Sequence, residues 1–451
     1  MNRRVQPSFR IISLLALAVS CPASVSAFQP PMSCELVARG DVTSTLWSIL
    51  LPPRGETDPD LDRIATSIAA LGASGLDPTV AILFGDEPEP DFTHAVHPWM
   101  IDRRQDILVN ALKRLSNADV VAAIRSRAAE QPSVDRTLFT ARVLGRIGGL
   151  NAILAIESLA PTLDGIQWQR PYVVNIFEES LVAIANEDPK HVKRLGEALA
   201  RAEVRVAPVF ARAIASPQKP SAVPLLLRAV GRDRDLDLCI MTELAKFGDR
   251  GDTSGSTGEI SRLRSYCEST DPGVRRCAAQ ALAKLGDEDS LGPIIAMLDS
   301  RNALTIQTAE KCLTTLTGLA LGRDSKPWNA WRERELEWFE THHQRLLEEI
   351  ASNDVTRVAD AIREFAGHRL FRHQAAEAIS PLIVQADAEL QRQACIALGL
   401  FGSGRGLTPL LERLEFGDDA VRAEAEKALK KITGLAITAE LEGWRAAILG
   451  A

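Results

Sequence analysis

The chain has 451 residues, 46 % of them hydrophobic and 25 % charged, with a formal net charge of −7. That length suits two or three ordinary domains or one long array, and the composition is globular rather than disordered. The acidic balance speaks against a broad cationic face for phosphates, so nucleic acid is not an expected partner. Aromatics are sparse at 5 %, and alanine and leucine supply the bulk, as in packed helices with small residues between them.

Residues 1–27 read as a targeting signal. Arg3, Arg4 and Arg10 form a positive region, Ile11 to Val19 an apolar core, and Val25-Ser26-Ala27 a cleavage site with small side chains. The apolar run is far below the roughly 20 residues that span a bilayer, and no later stretch free of charge reaches that length. Export to a periplasmic or extracellular location is the expectation, and removal of the leader makes the chain about −10. A second reading rests on Ala18-Val19-Ser20-Cys21, which loosely resembles a bacterial lipobox and would place a lipid on Cys21. It departs from that pattern in having Ala where Leu is usual and Pro22 after the cysteine.

Beyond Cys21 there are six cysteines: Cys34, Cys239, Cys267, Cys277, Cys312 and Cys395. An even number in an oxidising compartment invites pairing. However, Cys239, Cys277, Cys312 and Cys395 fall on or beside Ala-rich helical stripes, where cysteine serves as a small apolar side chain. Cys239 and Cys277 hold equivalent positions of successive repeats, too far apart for a bridge between stacked helices. Buried thiols are expected, and Cys267, at a helix end, is the first candidate for any bridge.

Residues 28–125 read as an N-terminal helical region with Pro-rich breaks. Leu61 to Leu71 has apolar residues at helical spacing and is ended by Gly72 and Gly75. Asp102 to Leu115 is a second amphipathic helix, and Ser116-x-x-Asp119 marks a capping start for Val120 to Ala129. Gly85 to Pro98 (GDEPEPDFTHAVHP) is an acidic loop whose three prolines prevent a continuous helix.

From residue 126 the pattern tightens into repeats. Leu144 and Gly148 mirror Leu282 and Gly286, and Leu236 to Gly248 matches Val274 to Gly286 at an offset of 38. The polar loop Asp249 to Gly258 separates those copies, and Ser256-x-x-Glu259 offers a capping box. Asp271 to Gly318 then returns as Asp387 to Gly434, 116 positions later and without a gap. Extended to Trp328 and Trp444, the two copies share 18 identities in 58 pairs, about four times what unrelated sequences give, so the segment is an internal duplication. Residues 126–350 therefore form one array ending in a long Trp-containing helix, and 351–451 a second.

In the first copy, Asp271 is placed to cap a helix and Pro272 takes its first position. Val274, Ala278, Ala281, Leu282 and Leu285 share one face, and Gly286 closes the helix. Pro293 begins the next, with Ile294, Ile295 and Leu298 as the facing stripe. A hairpin this short cannot bury its apolar face alone, so neighbours must stack on it. Trp328 and Trp444, after the last turn of each copy, are expected to cover a repeat edge rather than hold a ligand.

The run D-P-x-V-R-x-x-A-x-x-A-L-x-x-L-G-D resembles the HEAT repeat in its phycobilisome-lyase-like bacterial form. Asp271, Val274, Arg275, Ala278, Ala281, Leu282, Leu285, Gly286 and Asp287 carry it, and Asp418, Val421, Arg422, Ala425, Ala428, Leu429 and Ile432 carry it again. The likeness is strong over 220–318 and 355–434, weak over 120–220 and absent before that. It implies an all-α fold, a right-handed α-solenoid of helical hairpins with a less regular helical N-terminal region. It also implies a protein-binding surface lined by the second helix of each pair.

Candidate chemistry is thin. His94-x-x-His97, with Asp91 and Asp102 nearby, is the best metal-like cluster, but the segment is Pro-broken and lacks a third histidine close in sequence. His342 and His343 diverge by about 100° on a helix, which prevents easy shared ligation, and His368 and His373 read as surface or packing residues. Gly251 to Gly258 lacks the lysine and preceding strand of a phosphate loop, and no G-x-S-x-G, H-E-x-x-H or C-x-x-C occurs. No cofactor is expected. The leading expectation is a non-enzymatic exported scaffold that binds a protein or peptide on its concave face, with Arg276, Gln280, Arg392 and Lys427 pointing inward by wheel position. The alternative is an enzyme on a HEAT-like solenoid, because relatives of that class include bilin lyases and DNA glycosylases, or a metal-dependent N-terminal module. The charge balance opposes a glycosylase groove, and the leader opposes both intracellular activities.

Overall fold

The computed structural model describes residues 42–50, 60–87, 98–248, 257–352, 354–385, 387–435 and 441–448. The fold is all-α: the described residues form 24 α-helices with short 3₁₀ segments and include no β-strand. The chain divides into two compact units, residues 1–187 and 188–451. In each unit paired helices stack into two rows, the arrangement of an α-solenoid.

In the first unit, helices Leu61–Ala69, Pro98–Leu112, Val134–Ile147 and Pro171–Glu187 follow one another in one row. Val42–Leu50, Gly72–Phe84, Asn117–Glu130 and Gly149–Leu159 form the other. The pairing thus reaches the first described helix, where the sequence carries no repeat signature. Val134–Ile147 and Pro171–Glu187 approach closely through small residues: a Cβ on Gly145 would lie 2.5 Å from the Cα of Ser180 on the next helix of its row. Asp86 accepts both guanidinium nitrogens of Arg136 at 2.9 and 2.6 Å, and Arg136 also covers the Phe84 ring.

Three boundaries differ from the sequence reading. The first amphipathic helix ends at Ala69, and Gly72, with its left-handed φ of 59°, opens the next helix, which contains both Gly75 and Pro78. Thr79 Oγ donates to the Gly75 carbonyl at 2.6 Å, and the helix runs on to Phe84 although Pro78 has no N–H to give to the preceding turn. Ser116 does sit at an N-cap, but its helix begins at Asn117 and its side chain makes no capping bond. Pro293 is the third residue of a short helix, Leu291–Ala296, flanked by 3₁₀ turns on both sides. The cleavage region, Cys21, Cys34, His94, His97 and Ser256 lie outside the described residues.

The second unit repeats the two-row plan. Ala207–Ala215, Arg234–Leu244, Pro272–Lys284 and Ala303–Thr317 stack in the first row, as do Val355–Ala366, Ala388–Phe401 and Asp419–Thr433 after it. The second row includes Leu291–Ala296, Ser325–Ala351, Arg372–Gln385, Leu407–Phe416 and Leu441–Ile448. Asp271 caps as expected, accepting from the Gly273 and Val274 amides, with Pro272 in the first turn. Asp387 does the same for the second copy through Leu390.

The duplicated turns are built alike down to single hydrogen bonds. Gly318 and Gly434 take φ of 72° and 69°. Before them Thr317 and Thr433 each donate from Oγ to the carbonyl four residues back, at 2.8 Å. Each hydroxyl then accepts from the amide two residues on, at 3.1 and 3.2 Å. Trp328 and Trp444 are both 0 % exposed.

One buried side chain joins the two copies. His373, at the start of Arg372–Gln385, is 7 % exposed and reaches Gly286 of the first copy and Ser403 of the second. The Gly286 carbonyl can only accept, so Nε2 carries the hydrogen and donates at 3.0 Å. Nδ1 therefore accepts from the Ser403 hydroxyl at 2.6 Å. Burial, with the nearby Arg372 and Arg405 charges, pushes the imidazole down to about 3. Glu288 lies 3.8 Å from Nε2, but it also lies 3.7 Å from Arg372, which takes up its charge.

Unfolded, the same imidazole titrates near 6.5. Between that value and about 3 the unfolded chain holds a proton that the folded chain does not. The stability this group contributes is therefore complete above pH ~6.5 and is lost as pH falls. In denaturant unfolding, the stability difference between wild type and His373→Asn should shrink by about 2–3 kcal/mol from pH 7 to pH 4.5. A difference that stays constant over that range contradicts a neutral buried clamp.

Candidate protein-binding face

The first-row helices of the second unit present one face inward and leave the other in solvent. On Pro272–Lys284 the buried side is Val274, Ala278, Ala281 and Leu282, while Arg276 is half-buried and Gln280 is exposed. On Ala388–Phe401 the buried side is Leu390, Ala394, Ala397 and Leu398, and Arg392 lies on the opposite side. All four residues singled out from the sequence therefore lie on first helices of their pairs, not on the second helices to which the resemblance assigns the binding surface.

Arg392 and Lys427 belong to adjacent packed helices, whereas Arg276 and Gln280 share one helix a copy away. Arg392 and Lys427 are each held by a carboxylate one turn back. Arg392 donates to Glu389 at 2.7 and 3.0 Å, and the Arg392 and Gln393 bonds hold the Glu389 carboxyl down at about 2. Lys427 donates to Glu424 at 2.8 Å, and the Glu424 charge also reaches Arg392. Solvent screens such exposed pairs, so a ligand carboxylate competes for them readily.

Between the two helices runs a groove of about 140 Å³ lined by Ile396, Gly399, Leu400, Glu424, Lys427, Ala428 and Lys431. Its depth comes from small residues, since a Cβ on Gly399 would lie 3.1 Å from the Cα of Ala428. Leu400 stands on its wall, 50 % exposed. Sequence reasoning found Lys427 but missed the groove, because no spacing rule marks an exposed leucine between two helices.

The aromatic residues of Ser325–Ala351 pack rather than project. The Trp328 indole donates to the Gly322 carbonyl at 2.9 Å. The imidazole of His368 stacks on Trp338 at 3.3 Å and meets Glu335 at 3.2 Å through Nδ1. His342 and His343 diverge as expected, stacking on Trp338 and Phe339. Cys239, Cys267, Cys277, Cys312 and Cys395 are unbridged, and burial pushes the Cys267, Cys312 and Cys395 thiols up to about 12. Among the described residues no three His, Cys, Asp or Glu side chains gather as a metal site, and no helix is long and apolar enough to cross a membrane.

Residues 238–314 match the family model described as HEAT repeats. This part of the chain is a HEAT repeat array. No curated protein sequence matches the chain. Among solved structures, an engineered protein is 18 % identical, with 87 % of this chain and 99 % of that one covered at a TM-score of 0.28. Kap121p bound to Pho4p is 11 % identical at a TM-score of 0.36, covering 93 % of this chain. The chain spans 47 % of the Kap121p chain. Human deoxyhypusine hydroxylase in complex with glycerol is 14 % identical, with 71 % of this chain and 98 % of that one covered at 0.23.

The burial pattern separates frame from face within this HEAT array and its second copy. Trp444→Ala should lower stability by about 3–5 kcal/mol, as for a large core side chain, while Leu400→Lys should change it by less than about 0.5 kcal/mol. Urea unfolding of both variants checks the contrast.

Proposed function

We propose that the chain is a non-enzymatic extracytoplasmic scaffold that binds a protein or peptide partner along the exposed face of its first-row helices. The observation that carries this reading is apolar surface left open on first-row helices: Leu304 is 60 % exposed and Leu400 50 % exposed, and on the second row Val384 and Phe416 are exposed as well. A well-packed array loses free energy by leaving such side chains in water, and a partner that covers them recovers it. Charged side chains flank Leu400, with Lys427 and Lys431 lining the same groove. An apolar centre with a charged rim is the usual anatomy of a specific protein interface.

The location belongs to the same reading and rests on the sequence of residues 1–27: three arginines, the Ile11–Val19 apolar run and the small residues up to Ala27. A HEAT array supports a binding role because stacked hairpins offer long contact area at little cost in strain. The reading assigns the chain no chemistry of its own.

The test is a photo-crosslinking residue placed at Arg392 of the full chain expressed in its native host, followed by cell fractionation. The expected result is the chain in the envelope or medium, joined in stoichiometric yield to one protein. Recovery in the cytoplasm, or turnover of a small molecule by the purified chain, overturns it.

A further inference from the structure

The duplication supplies an internal control for the groove, because the same pair of helices occurs twice at an offset of 116. The frame positions agree: Ala278, Ala281, Leu282, Ala309 and Leu313 return as Ala394, Ala397, Leu398, Ala425 and Leu429, all buried. The outward positions do not. Gln280 and Lys284, both exposed on the first copy, are replaced by Ile396 and Leu400. Ala283 and Cys312 are replaced by the smaller Gly399 and Ala428, which deepen the cleft between the helices. Polar side chains facing water have thus become aliphatic, and the side chains beneath them have shrunk. Folding gains nothing from either change, since the first copy closes the same core without them.

The charge has moved as well. At the positions that line the groove the first copy carries Lys284 and Lys311, whereas the second carries Glu424, Lys427 and Lys431, the last in place of Thr315. The cation has left the floor of the groove, and Lys427 and Lys431 stand along one rim beside Glu424. Lys427 pairs with Glu424 and Lys430 with Glu426, while Lys431 makes no ion pair among the described residues. An apolar floor with cations on one side fits a ligand with an apolar side chain next to a carboxylate.

We propose that the groove between Ala388–Phe401 and Asp419–Thr433 is a docking site for an acidic, apolar peptide segment of a partner protein. The segment seats an aliphatic or aromatic side chain against Ile396, Gly399 and Leu400, and sets a carboxylate against Lys431 with Lys427 beside it. This rests on the scaffold reading above and narrows it to one site and one ligand chemistry.

The experiment measures fluorescence anisotropy of a short labelled peptide alternating aspartate and leucine, titrated with the full chain. Binding should be saturable, and should weaken as salt is raised because the lysine contribution is screened. Ile396→Gln with Leu400→Lys restores the first copy's own residues on exposed positions, so the fold is kept, and it should weaken binding about tenfold or more. Lys431→Thr should weaken it about threefold at low salt and less at high salt. The reverse graft, Gln280→Ile with Lys284→Leu and Thr315→Lys, should create a second site of similar affinity. The proposal is overturned if the wild type does not bind, if the double variant binds as well as wild type, or if a lysine–leucine peptide binds equally. Association with anionic phosphatidylglycerol vesicles in preference to the peptide also overturns it. The scaffold reading is judged separately: a crosslinked envelope partner whose yield survives Ile396→Gln with Leu400→Lys leaves the scaffold standing and the groove refuted.

Discussion

Everything in the second unit depends on how closely its first-row helices approach, and alanine sets that distance. Ala278, Ala281 and Ala309 are fully buried on adjacent helices of the row, and Ala394, Ala397, Ala425 and Ala428 are buried on the corresponding pair a copy later. With one carbon each, these side chains let backbones come near enough for Leu282, Leu313, Leu398 and Leu429 to interlock behind them. Gly399 takes the same principle one atom further against Ala428, and Gly145 against Ser180 does so in the first unit. The interface is thin and repeated, so no hairpin owns a complete core, and each is stable only as part of a stack.

Apolar stacking of this kind is permissive about register, because one alanine face resembles another. Directional contacts at the turns remove that freedom. His373 satisfies a carbonyl of one copy and a hydroxyl of the other at once, which holds only when both loops stand at the right distance. Ser403 is doubly committed, since its oxygen also accepts from the Arg405 amide. Arg264 bridges to Asp287 at 2.5 and 2.8 Å, and Arg234 to Asp271 at 2.6 and 2.8 Å, each joining a turn to the neighbouring repeat. The cost of burying His373 and Asp287 is offset by their pairing, while Arg234 and Asp271 stay largely in solvent; what these contacts contribute is alignment more than net stability.

How much of this is legible in the sequence follows from the range of each interaction. Asp271 with Pro272, and Gly286 after Leu285, act within a turn of helix, so spacing alone located the cap and the stop. The helix through Gly75 and Pro78 was missed because glycine and proline signal a break locally, whereas the surrounding helices Val42–Leu50 and Asn117–Glu130 hold the segment helical. The 3₁₀ turns around Leu291–Ala296 were missed for the same reason: periodicity finds an apolar stripe but not its pitch. His373 looked like an ordinary polar residue, since its partners lie 87 and 30 positions away.

The groove was hidden for a different reason. Recognising a duplication means looking for identities, and identities mark the positions that both copies need for closing the same core. Trp328 with Trp444 and Gly318 with Gly434 are of that kind, and they are buried or conformationally required. A surface that serves a purpose in only one copy must lie where the copies disagree, among residues the frame does not constrain. Some such disagreements exchange one polar side chain for another, as Thr308 and Glu424 do. Gln280 against Ile396 and Lys284 against Leu400 instead place aliphatic carbon on adjacent turns of one helix, beside a groove floored by the smaller Gly399 and Ala428. Leaving that carbon in water costs free energy, which a ligand covering it recovers.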